Sequence, residues 1–182
     1  MSFINKAIYN VLCLARNKKS LNIINRIASI DDYNQIIPKI YLGNINCSTD
    51  IDFLKKHNIG GIINCTENEP FHEYFDNKPK LRLLINDSKE QDNINNFKTQ
   101  IINSINFIDD CIKNDKTVYV HCYWGLMRSA TVVACYIIKQ YKIPSSDAIN
   151  IVREQRPFAL SSVYNFNEIL NYVESKYANA GN

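Results

Sequence analysis

A histidine, a cysteine and an arginine share one short stretch, His121-Cys122-Tyr123-Trp124-Gly125-Leu126-Met127-Arg128-Ser129, between two apolar runs. Ahead of it, "TVYVH" is β-branched and aromatic and reads as a strand. Behind it, residues 129–141 are mostly apolar and read as a buried helix. Strand, loop and helix in that order set the loop against the first turn of the helix. Unpaired N–H groups and the helix dipole make an anion site there. Gly125 can supply the turn that points successive amides inward. A cysteine at such a place should ionise easily, because its thiolate is the anion being stabilised. The planar fork of Arg128 can hold two oxygens of one phosphate. A thiolate under a phosphate-sized cradle, with a guanidinium at its rim, suits in-line attack on phosphorus and a cysteinyl-phosphate intermediate.

The rest of the chain supplies elements to carry this loop. "QIIPKIYLGN" reads as an extended segment ending at Gly43, with Pro38 placing the first strand at an edge or after the proline. "STDIDFLKKHNI" reads as a helix capped by Ser48 or Thr49, and "GGIINC" as a short buried strand. A polar loop broken by Pro70 and Pro79 leads to a further strand, "LRLLI", and to the polar loop "NDSKEQDN". Ile94, Phe97, Ile101, Ile105, Ile108 and Ile112 line one face of a long helix. Ser145 or Ser146 can cap "DAINIVREQR", Pro157 ends that helix, and a last helix is expected from about Val163 to Tyr177. Strands alternating with helices predict an α/β fold: a central mixed sheet of four to five strands flanked by helices.

With 182 residues there is room for one domain with a real core. Two parts are expected: a basic amphipathic helical segment over 1–30, and a catalytic body over 31–178. The net charge of +3 is uneven. Residues 1–30 carry Lys6, Arg16, Lys18, Lys19 and Arg26 and no acid, whereas 16 basic residues face 18 acidic ones in the remainder. Nucleic acid is therefore not an expected partner. Within 2–16 the apolar residues fall at helical spacing. That segment reads as a helix packed on its own domain or on a partner subunit. A transit peptide, an interfacial membrane helix and simple disorder stand beside that reading. The six cysteines form no CxxC pair and follow no secretory signal, so free thiols and a cytoplasmic setting are expected. His57, His72 and His121 stand at no metal-ligand spacing, and no apolar run reaches membrane-spanning length, so neither metal, cofactor nor transmembrane segment is expected.

His121-Cys122-x5-Arg128-Ser129 resembles the HCx5R[ST] signature of cysteine-based phosphatases, and its surroundings resemble the dual-specificity protein phosphatases. "IYLGN" is similar to that family's opening strand, "HNIGGIINCTENEP" to its second strand and following loop, "INDSKEQDNINNF" to its general-acid loop and "REQRPFALSSVYNFNEIL" to its final helical segment. The resemblance runs in order over about residues 36–175. It implies the phosphatase fold, phosphorylated protein substrates (phosphotyrosine and phosphoserine/threonine) and no cofactor. Cys122 then resembles the nucleophile, Arg128 the group that binds phosphate and the transition state, and Ser129 the hydroxyl that helps the sulfur leave. His121 resembles the buried histidine that orders the loop. Asp87, directly after "LRLLI", matches the general acid, with Asp92 as its rival. Cys65 matches a cysteine that, in some relatives, forms a reversible disulfide with the nucleophile; packing is its other reading. Of Arg153 and Arg156, one matches a substrate-reaching arginine, against a buried structural role. Some poxviral members begin with a helix exchanged between subunits, and 2–16 resembles it, which implies a homodimer.

The sequence also departs from the pattern. Tyr123, Trp124, Leu126 and Met127 are bulky and uncharged, and with Gly125 and Arg128 they make up the expected substrate-binding loop. No lysine marks a phosphoinositide phosphatase, and Trp124 replaces the histidine of RNA 5′-triphosphatases. Trp124 could stack on a substrate or pack on a neighbouring loop. Ser161-Ser162 replaces the usual Pro-Asn. A phosphoprotein-binding module without turnover, or a phosphatase acting on an RNA end or a lipid, is the alternative reading.

Overall fold

The computed structural model describes residues 31–88, 90–161 and 166–178. The segment 1–30, with its expected helix, its Cys13 and any subunit contact through it, lies outside these residues, as does Ser162.

Strands β1 (Tyr33–Ile37) and β2 (Ile40–Gly43) form an antiparallel hairpin. Pro38 ends β1 because it has no N–H to donate, and Lys39 closes the turn at φ 64°. The single extended segment expected here is thus two strands, and β1 is the edge. Helix α1 (Ile51–Lys56) follows a 3-10 turn over Asn46–Ser48. Its cap is Asp50, whose carboxylate accepts the N–H groups of Asp52 and Phe53 at 3.0 and 3.1 Å. The expected Ser48/Thr49 cap is not formed, because both hydroxyls donate back to carbonyls of the preceding turn.

Strand β3 (Ile59–Asn64) leads through a 3-10 turn at Glu73–Phe75 to β4 (Lys80–Arg82). β4 is shorter than "LRLLI", because Leu84 bonds to Gln100 on the next helix instead of to a strand. Helix α2 (Gln91–Lys113) then returns to β5 (Thr117–His121), and α3 (Arg128–Tyr141), α4 (Ser145–Gln155) and α5 (Asn167–Tyr177) complete the described chain. Neither Ser145 nor Ser146 caps α4 with its side chain. The Ser145 N–H donates to Glu174 Oε2 of α5 at 2.9 Å, which sets a carboxylate at the positive end of the helix dipole.

The sheet order is β1-β2-β5-β3-β4, with β2, β5, β3 and β4 parallel. Alternation along β5 divides the core. Val118 and Val120 face the core under α2 and α3, while Tyr119 joins Phe53, Leu54 and Phe75 on the other side. Helix α3 is buried from Ser129 to Ile138, as expected of the innermost helix. Each aliphatic side chain so buried contributes about 1.5–3 kcal/mol. Among the described residues, no helix is long and apolar enough to cross a membrane.

Pairing register matters most for the site. Gly43, His121, Asn64 and Arg82 lie in one row across the parallel strands. Four loops therefore leave the sheet at one level, beside the central strand, where ligands of open α/β sheets bind.

Candidate active site

The loop after β5 is held from several sides by its carbonyls. His121 O accepts the Cys65 N–H at 2.8 Å, Tyr123 O the Ile45 N–H at 3.2 Å, and Leu126 O the Leu160 N–H at 2.8 Å. Trp124 O and Gly125 O accept from Nη2 and Nε of Arg156, at 3.0 and 2.7 Å. With these carbonyls turned to outside partners, N–H groups face the sulfur. Gly125 N–H donates to Cys122 Sγ at 3.3 Å, and the Ser129 hydroxyl does so at 3.2 Å.

Gly125 is essential to this path. It lies at φ 68°, in the left-handed region, and a Cβ there would stand 2.3 Å from Gly43 O. Gly125→Ala is expected to lower the free energy of unfolding by about 3 kcal/mol or more, since strain and overlap add. Urea denaturation reads the loss. An alanine variant with an unchanged midpoint would show that the loop does not need this conformation.

The Cys122 thiol is buried, which by itself raises its pKa. The Arg128 charge opposes that, joined by the hydroxyl and N–H of Ser129 and the N–H of Gly125, and the balance holds the thiol below its ordinary value. Arg128 is aimed by its own hydrogen bonds. Nη1 donates to Cys65 O at 3.3 Å and Ile85 O at 3.2 Å, and Nη2 lies 3.5 Å from Asp87 Oδ2. Its Nε is buried with no hydrogen-bond partner, a donor directed at no protein group.

Burial lowers the His121 pKa to about 4, with help from the charges of Arg82 and Arg128. The ring is therefore neutral near pH 7. Its Nδ1 lies 3.2 Å from Cys122 O, and since a carbonyl only accepts, Nδ1 carries the proton. The ring stacks on Tyr119, with centroids 5.6 Å apart. His121 thus ties the cysteine backbone to the sheet.

Other residues singled out in the sequence fall as follows. Asp87 is partly exposed and faces Arg128, whereas Asp92 sits in the first turn of α2. Cys65 is fully buried, its carbonyl serving Arg128, and burial together with the nearby Cys122 charge pushes its thiol well up. Cys47, Cys111 and Cys135 are buried free thiols. Met127 and Leu126 pack with the main core, so what they present to a ligand is backbone. Tyr123 is exposed, with the half-buried Trp124 ring set edge-on at 5.0 Å. Arg153 donates to Ala159 O and Leu160 O.

Arg156 is the residue that sequence reasoning left most open. It is 1% exposed and spans from the loop carbonyls to Asn34 Oδ1 on β1. Its place is under the loop, and its role is structural. Asn64 was not singled out at all. Its side chain ties Thr66 and Glu69 together after β3, and Arg82 adds bonds to Thr66 O and Glu69 O. An asparagine at the end of a buried strand was the available signal, since a buried amide needs partners.

Residues 40–176 match the family model described as dual specificity phosphatase, catalytic domain. Dual specificity protein phosphatase 16 of Homo sapiens is 30% identical over 153 residues, which cover 80% of this chain and 21% of that protein. The chain thus spans about a fifth of the length of that relative. Among solved structures, DUSP15 superimposes with a TM-score of 0.68 at 26% identity, covering 78% of this chain and 86% of the other. Human DUSP28 gives 0.71 at 17% identity over 80% and 95%, a likeness of fold alone. The sheet, the HCx5R loop and a match over residues 40–176 agree, and the chain belongs to the dual specificity phosphatase catalytic-domain family.

Proposed function

We propose that this chain hydrolyses phosphate monoesters on protein side chains, on tyrosine and on serine or threonine, through a cysteinyl-phosphate intermediate. The observation that carries this reading is the Cys122 sulfur, which accepts from the Gly125 N–H and the Ser129 hydroxyl and is influenced by the charge of Arg128, whose buried Nε has no protein partner. Cys122 Sγ attacks phosphorus, forming the S–P bond as the P–O bond to the substrate breaks. Arg128 and the loop amides bind the equatorial oxygens. Asp87 gives its proton to the leaving oxygen, then takes one from the water that attacks the phosphocysteine. The Ser129 hydroxyl stabilises the departing thiolate. No step uses a metal, so hydrolysis of para-nitrophenyl phosphate should persist in EDTA.

Binding without turnover is less favoured, because nucleophile, arginine and acid are all present. A polyanionic lipid or an RNA end finds no lysine in the loop.

Asp87→Asn tests the acid. It should lower kcat about 10²- to 10⁴-fold on a phosphopeptide, whose leaving group needs a proton, and spare an activated aryl phosphate. Asp92→Asn should change neither. The opposite pattern would move the role to Asp92.

A further inference from the structure

Loops that carry a general acid must hold one carboxylate within reach of a leaving oxygen. Asp87 lies on an irregular stretch after β4, where Leu83 N–H still donates to Asn64 O of β3 at 2.9 Å and Leu84 to Asn86 are outside any strand. The carboxamide of Asn93 grips both neighbours of Asp87. Its Oδ1 accepts the Asn86 N–H at 2.9 Å, and its Nδ2 donates to Asn86 O at 2.8 Å and to Ser88 O at 2.9 Å. One side chain thus bonds the backbone of the residue before the acid and of the residue after it.

The grip is mounted on a rigid element. Asn93 is in the first turn of α2, between the exposed start of the helix and Ile94 and Phe97, which pack into the main core. Asparagine is a poor helix former, and the preceding N-cap, Glu90, makes no side-chain cap bond. Its carboxamide goes to the loop and not to the helix. Farther along α2, Asn96 donates to Leu84 O and Gln100 accepts the Leu84 N–H, which holds the start of the loop. From the other side, Arg128 takes Ile85 O and faces Asp87. The acid is thus fixed between two groups: Arg128 from the phosphate loop and Asn93 from the helix.

We propose that Asn93 is the positioning residue for the general acid, its carboxamide setting where the Asp87 carboxyl stands relative to the leaving oxygen. This rests on Asp87 being the acid. Displacement of a catalytic group by about 1 Å can cost about a hundredfold in rate, so a loosened clamp should register in the step that needs the proton. A bond that only stabilised the loop would affect all substrates alike.

The test compares kcat on phenyl phosphate, a poor leaving group, with kcat on para-nitrophenyl phosphate, for wild type, Asn93→Ala, Asn93→Asp, Asp87→Asn and Asp87→Asn/Asn93→Ala. Asn93→Asp keeps the acceptor for the Asn86 N–H but loses both donors, and its shape guards against a folding artefact. Both Asn93 variants should lose at least about tenfold on phenyl phosphate and less than about threefold on the activated ester. In the Asp87→Asn background, Asn93→Ala should add little, since the two act in one step. Equal losses on both substrates, or full additivity in the double variant, would overturn the proposal while leaving Asp87 as the acid. If Asp87→Asn itself left the leaving-group dependence unchanged, the acid assignment would fail and the clamp with it.

Discussion

Cys122→Ser should lower turnover of para-nitrophenyl phosphate by at least about 10⁴-fold while the protein stays folded and still binds phosphate. The two halves of that result have different causes. Cys122 is 1% exposed, in a loop whose Gly125 N–H and Ser129 hydroxyl point at its sulfur. A serine oxygen can accept the same two bonds in nearly the same volume, so the loop has no reason to rearrange. What it lacks is ionisation. The Arg128 charge and the loop donors overcome burial for a thiol, which starts near 9.0, but a hydroxyl begins far above that range. Acid quenching of the wild-type enzyme during turnover should trap phosphate on Cys122, and none should be trapped on the variant. The alkylation rate of Cys122 by iodoacetamide follows the thiolate fraction, so its half-rise should fall at lower pH than for an ordinary cysteine. Retention of more than about 1% of wild-type turnover in Cys122→Ser would place the nucleophile elsewhere.

How much of this site could be read from the chain follows from how local its causes are. The strand Thr117–His121, the start of α3 at Arg128 and the cysteine between them are set by residues adjacent in sequence, and the structure agrees with them closely. Where a partner comes from far along the chain, the reading fails or is silent. Ser145 and Ser146 look like a cap, yet the α4 N-terminus is served by Glu174. "LRLLI" has strand composition, yet its second half turns to Gln100 of α2. Arg156 reads as either a substrate-reaching or a buried structural arginine, and Asn93 gives no signal of a role. Arg156 binds loop carbonyls 31 and 32 residues away, whereas Asn93 binds Asn86 and Ser88 only seven and five residues back, across an irregular turn whose path no periodicity gives. The greasiness of the phosphate loop has a similar answer. Leu126 and Met127 are apolar because the loop is itself part of the core, and only Tyr123 and Trp124 are left near the surface.

The side chain that should be hardest to replace by one of equal charge is Arg128. Arg128→Lys is expected to lower kcat about 10³-fold, and Arg128→Ala by at least as much. The guanidinium does two things at once. Its Nη1 edge is spent on Cys65 O and Ile85 O, which fixes the plane of the fork. That leaves the buried Nε without a protein partner, with Nη2 toward Asp87, as the edge that can meet phosphate oxygens. An ammonium is a point charge without a plane, so it cannot hold the two carbonyls and also offer a matched pair of donors. It does keep the positive charge near the sulfur, which is the largest influence drawing the Cys122 pKa down. The two variants should therefore separate. With lysine, the pH midpoint of Cys122 alkylation should stay near the wild-type value while turnover collapses. With alanine, the midpoint should rise toward and past that of an ordinary thiol, because burial is then opposed only by the Ser129 and Gly125 donors. A lysine variant within about tenfold of wild-type turnover would mean that charge alone suffices and that the fork geometry is not used in the transition state.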